Sequence, residues 1–111
     1  MKKIKFGETT KLLLIEEETL FKQGDEGDKA YMIISGRLSV LVDNVKVGSM
    51  SDGEVFGELA LILNQKRSAT ITSMTPTELI EIDKNGLDRI IESASADTKK
   101  MIIQLCEALS K

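Results

Sequence analysis

The pattern of apolar and polar positions divides the chain near residue 82. Before that point apolar residues come in short runs, broken every eight to twelve residues by glycine, aspartate or asparagine. The clearest run is Tyr31-Met32-Ile33-Ile34, a Ser35-Gly36 turn, then Arg37 to Val42. In the second half Leu38, Val40 and Val42 share one face at period two, and Arg37, Ser39 and Leu41 the other, as a half-buried strand requires. Asp43-Asn44 turns the chain, and Val45 and Val47 return it. Leu12 to Ile15 and Thr19-Leu20-Phe21 are expected as two edge strands around the acidic turn Glu16-Glu17-Glu18. Residues 1–10, with no clear period, are a lead-in strand or arm. Gln23 to Asp28 and Gly48 to Gly53 are expected as turns by composition. Arg67 to Ser73 alternates as a strand, with Ala69 and Ile71 on one face. Pro76 breaks it, and Leu79 to Ile82 forms the last strand. Such spacing predicts an all-β sandwich or roll.

After Ile82 the period becomes helical. Asp83 is placed to cap a helix. Leu87, Ile90, Ile91 and Ala94 follow at i, i+3, i+4 and i+7, making one apolar stripe. A second helix is expected from Ser95 or Asp97, with two stripes, Met101-Leu105-Ala108 and Ile102-Cys106-Leu109. One stripe packs on the roll; the other needs a partner, either a ligand, a second subunit or more core.

Between the strands lies Gly53 to Thr70, GEVFGELALILNQKRSAT, the stretch richest in candidate chemistry. Glu58 to Leu63 forms a short apolar helical turn. Gly57, lacking a Cβ, lets the main chain approach a ligand. The amides of Leu59 and Ala60 are orphan donors at a helix start, which suits an anion. Arg67 offers a planar fork for phosphate oxygens. An ionised Glu58 only accepts hydrogen bonds, so it suits hydroxyl donors such as those of a sugar. An anion beside a diol describes a ribose phosphate. Without further context, the same pair also describes an ordinary ion pair on a surface turn, worth about 0–1 kcal/mol.

Composition narrows the classes. The chain has 111 residues, 41% of them hydrophobic and 30% charged, with a net charge of −3. That length is one domain burying roughly two-thirds of its unfolded surface. The mild acidity speaks against nucleic acid as a partner. With no histidine, His-based metal sites, triads and general bases are excluded, and an enzyme of the small metal-dependent β-barrel kind loses its ligands. Neither a catalytic residue nor a metal ligand is expected, and the acids of Gln23–Asp28 lack the spacing of a calcium loop. Apolar runs are too short for a membrane span, and the basic N-terminus lacks the apolar core of a signal peptide. The lone cysteine, Cys106, makes no internal disulfide and is expected in the core of a cytoplasmic protein.

The stretch resembles the phosphate-binding segment of the cyclic-nucleotide-binding domain, shared by catabolite activators, cyclic-nucleotide-dependent kinases and gated channels. The resemblance rests on Phe56-Gly57-Glu58-Leu59-Ala60-Leu61 and Arg67-Ser68-Ala69-Thr70. Upstream it rests on Gly24-Asp25-Glu26-Gly27-Asp28, Tyr31 to Ile34, Ser35-Gly36 and Leu38-Ser39-Val40. It runs from about Leu20 to the end of the chain, departing at Lys66, where proline often precedes the arginine.

The resemblance implies a single domain over residues 1–111: an antiparallel, jelly-roll-like β-roll to about 82 with a short internal helix, then two C-terminal helices. It implies that Glu58 accepts the ribose 2′-hydroxyl and Arg67 pairs with the cyclic phosphate. The amides of Leu59 and Ala60 complete the cradle, Ser68 adds a hydroxyl, Ala69 lines the wall, and Phe56 and Gly57 shape the floor. Met101 and Leu105 are candidates for a lid over the base. The implied ligand is cAMP, with cGMP as the alternative, since a hydroxyl such as that of Ser68 follows the arginine in binders of both. The implied function is a regulatory sensor, not an enzyme, needing no cofactor besides its ligand, whose C-terminal helix moves on binding and contacts a second subunit or effector. The alternative is a degenerate roll that serves protein interaction. No helix-turn-helix is expected after Lys111, so transcriptional activation by the chain itself is not implied.

Overall fold

A computed structural model describes residues 1–93, with side chains up to Arg89. Nine strands and two helices follow one another as β1 (Lys2–Phe6), β2 (Thr9–Leu14), β3 (Thr19–Phe21), β4 (Ala30–Ser35), β5 (Arg37–Val42), β6 (Val45–Ser51), β7 (Val55–Phe56), α1 (Glu58–Leu63), β8 (Thr70–Ser73), β9 (Thr77–Ile82) and α2 (Lys84–Ser93). They form two antiparallel sheets, ordered β1-β2-β9-β4-β7 and β3-β8-β5-β6. The fold is the expected β-roll, with a short helix between β7 and β8 in the chain.

Alternation within each strand decides what fills the roll. Leu12, Leu14, Tyr31, Ile33, Leu38, Phe56, Ile71 and Leu79 form the buried core. Their neighbours on β4 and β9 point the other way, as successive residues of a strand must. There Ala30, Met32, Ile80 and Ile82 meet Leu87 of α2 and Leu61 and Ile62 of α1. Both helices therefore lie on the outer face of the five-stranded sheet. The Asp83 cap forms as expected, its carboxylate accepting from Gly86 N at 2.7 Å.

Several local expectations give way to pairing. Of the two alternatives for residues 1–10, the lead-in strand is the one that forms: β1 and the start of β2 make a hairpin running from Lys2↔Leu13 to Phe6↔Thr9. Only β3 of the two expected edge strands is an edge, because β2 lies between β1 and β9. The turn predicted over Gly48–Gly53 is strand as far as Ser51, since β6 stays paired to β5 up to Arg37↔Ser51. Cross-strand bonds override the poor strand preference of Gly48 and Ser49. Conversely, the strand predicted from Arg67 begins only at Thr70, and β9 begins at Thr77, directly after Pro76. No described helix is long and apolar enough to cross a membrane. The expected second C-terminal helix, with Met101, Leu105 and Cys106, lies outside the described residues.

Candidate functional site

Arg67 leaves the strand pattern because its main chain is claimed by a distant turn. Its N–H donates to Asp25 O at 2.7 Å, and its carbonyl accepts from Gly24 N at 2.8 Å. The side chain is then drawn inward until only 6% remains exposed. Nη1 donates to Gly57 O at 3.1 Å and Nη2 to Lys29 O at 2.8 Å. Cζ lies 4.1 Å from the centre of the Phe21 ring and 5.8 Å from that of Tyr31. Two glycines make the room. Gly57 caps α1 with φ 80°, and a Cβ there would come within 2.7 Å of Nη1; one on Gly27 would overlap Nε and Cζ.

This guanidinium has no counter-ion among the described residues, whose ion pairs all involve other groups. Burial pushes its pKa down, while Tyr31, Asp28 and Asp25 nearby act in the opposite direction. It stays charged at any ordinary pH, so a cation is held out of water with two carbonyls and an aromatic face as its compensation. Its Nε has no hydrogen-bond partner, and neither has Glu58 Oε2 at the start of α1. Glu58 and Arg67 are thus not the surface ion pair that their sequence spacing also allowed. They are two groups of opposite charge that line one cavity, each with a fully buried polar atom that has no partner among the described residues.

That cavity has a volume of about 260 Å³, and all eight expected residues line it: Phe56, Gly57, Glu58, Leu59, Ala60, Arg67, Ser68 and Ala69. Phe21, Val40, Met50, Val55, Gln65, Lys66 and Ile71 complete the wall. The side chains of Glu58, Gln65, Lys66, Arg67 and Ser68 make its polar part, while Val40, Met50, Val55 and Ile71 make an apolar one. A larger surface groove of about 1040 Å³ runs between β1 and α2. It carries Lys3, Lys5, Lys29 and Arg89 against Glu8, Glu81, Asp83 and Asp88, so its charges balance. The two residues that carry an unpartnered buried polar atom among the described residues, Glu58 and Arg67, line the smaller cavity instead.

The sequence pattern left Phe21, Gly27 and the Lys29 carbonyl out of the site. Gln23–Asp28 is a turn, as composition suggested, but one whose backbone holds Arg67. That pairing spans some forty residues and leaves no local periodic trace; the only signal was the Gly24–Asp28 block of the resemblance. Met101 and Leu105 lie outside the described residues.

The sequence pattern of the cyclic nucleotide-binding domain matches residues 14–94 of this chain. A cGMP-dependent protein kinase of Eimeria tenella is 39% identical over 74 residues, which are 67% of this chain and 7% of the kinase. Among solved structures, an EAL enzyme in its cGMP-bound form superposes with a TM-score of 0.78 at 28% identity, covering 89% of this chain and 28% of that one. The regulatory domain of Toxoplasma gondii PKA with cAMP gives a TM-score of 0.66 at 31% identity, covering 74% and 33%. The chain therefore spans a small part of the kinase and about a third or less of these two structures.

Proposed function

Since the chain belongs to the cyclic nucleotide-binding domain family, we propose that its small cavity takes up cAMP or cGMP, and that the domain is a regulatory sensor without chemistry of its own. One observation carries this reading: among the described residues the buried Arg67 guanidinium has no counter-ion, and Glu58, whose Oε2 has no partner among them, lines the same cavity. A cyclic phosphate supplies the missing negative charge, and the ribose 2′-hydroxyl supplies the missing donor. The first amides of α1, at Leu59 and Ala60, and the exposed hydroxyl of Ser68 add donors on the phosphate side. Phe56, Gly57 and Ala69 set the wall against which the sugar lies. The apolar part formed by Val40, Met50, Val55 and Ile71 suits the flat face of a base.

We place the domain in the cytoplasm, read there by an effector or a second subunit. The response lies in the segment after Ser93, which includes Met101 and Leu105. Amide exchange of residues 97–109 with and without nucleotide tests this, and equal protection would refute it.

Calorimetric titration of protein verified free of nucleotide tests the binding itself. One-to-one binding of cAMP or cGMP, lost in Arg67→Ala, is the expected result, and the ratio of the two affinities names the ligand, with cAMP expected to bind more tightly. No heat with either nucleotide, from folded and empty protein, would overturn the reading in favour of an interaction module.

A further inference from the structure

The Phe21 ring against Arg67 is a contact that the ligand does not need to touch. Phe21 is the last residue of β3, opposite Ile71 on β8, where the register between the two strands shifts. Its ring centre lies 6.1 Å from that of Tyr31 and 6.2 Å from that of Phe56, so the aromatic core fixes it from behind. The shift of register ends β3 at the cavity, with the ring facing the guanidinium.

The Gly27 and Gly57 backbones pack closely around Arg67, but few hydrogen bonds fix the orientation of its fork. The carbonyls of Gly57 and Lys29 take one bond each from Nη1 and Nη2. Among the described residues nothing accepts from Nε and no carboxylate pairs with the group. Two bonds at one end of a planar fork leave its tilt free, and the tilt decides whether the remaining N–H groups meet a phosphate in plane. An aromatic face opposes tilting, because a desolvated cation is attracted to the negative face of a ring within about 6 Å. A leucine would fill the same space without that face.

We propose that Phe21 is a positioning residue: its ring holds the Arg67 guanidinium in the orientation in which it receives the ligand's phosphate. The inference rests on the nucleotide reading above and concerns a residue outside the expected binding set.

Two measurements on the nucleotide-free protein test it. The first is the NMR resonance of the Arg67 Nε–H, assigned by its loss in Arg67→Ala. Ring current should place it upfield of the usual arginine position in the native protein and in Phe21→Tyr, and it should return towards that position in Phe21→Leu. The second is titration with cAMP and cGMP. Phe21→Leu should bind about tenfold more weakly, as loss of about 1.4 kcal/mol would give, while Phe21→Tyr stays within about twofold. An unshifted Nε–H in the native protein overturns the inference without any variant having to fold. Binding by Phe21→Leu at native strength, or equal losses in both variants, also overturns it while leaving the nucleotide reading intact. A native protein that binds neither nucleotide overturns that reading, and this inference with it, whatever the resonance shows.

Discussion

Arg67 donates from Nη1 to the carbonyl oxygen of Gly57 at 3.1 Å, and the same glycine leaves no space for a Cβ, which would come within 2.7 Å of that nitrogen. The residue that caps α1 and a residue in the connection between α1 and β8 are therefore built against one another. The helix cannot shift without moving the cation.

Alanine at either glycine beside the guanidinium tests this fit. Gly57→Ala meets both the Arg67 nitrogen and a left-handed backbone of φ 80°. It should lose about 1–3 kcal/mol of stability as well as nucleotide affinity. Gly27 has no such backbone constraint, so Gly27→Ala should lose affinity mainly by pushing Arg67 aside. Chemical denaturation beside calorimetric titration separates the two outcomes.

Arg67→Met separates stability from binding. Removing a buried charge relieves its desolvation, but it strands the carbonyls of Gly57 and Lys29 and gives up the Phe21 face. These terms oppose one another at a few kcal/mol each, so the empty protein should stay within about 1 kcal/mol of native stability. With nucleotide at 100 times its dissociation constant the native protein should gain about 2.7 kcal/mol, and the variant nothing. Urea unfolding with and without ligand reads both numbers.

Glu58→Gln keeps the shape of the side chain and removes its charge. Because Oε2 bonds to nothing in the described structure, the thermal midpoint should not fall. Affinity should drop about tenfold, since the amide keeps one acceptor oxygen but loses the charge that strengthens a bond from a ribose hydroxyl. A lower midpoint with unchanged affinity would make Glu58 a structural residue.

Tyr31 is the chain's single tyrosine, so alkaline titration of tyrosinate absorbance reads it alone. Burial raises its pKa, against the smaller opposing influence of the Arg67 charge. The titration midpoint should lie above the usual value of about 10. A phenol with a raised folded pKa keeps its proton more tightly when folded. Its contribution to stability is fully present below pH of about 10 and is lost as pH rises through the folded pKa. Arg67→Met should raise the midpoint further, because the charge that holds it down is gone.

Much of the fold was legible because its signals are local. The alternation of Leu38 and Val40, the Asp43-Asn44 turn, the short apolar turn from Glu58 and the cap at Asp83 each depend on neighbours a few residues away. Gly48 to Ser51 were misread for the converse reason: their composition says turn, and only the partner strand β5 says otherwise.

Side-chain period along the chain was enough to read a small β-roll with an internal helical turn, and the family resemblance pointed to eight of the residues that line its cavity. The burial of Arg67, in place of a surface pair with Glu58, came from contacts in space. That outcome depends on contacts with Phe21, Gly27 and the Lys29 carbonyl, brought from some forty residues away by the pairing of Gly24 and Asp25 with the Arg67 backbone. A cation's burial is set by what surrounds it in space, and the local pattern around Arg67 carries no record of that.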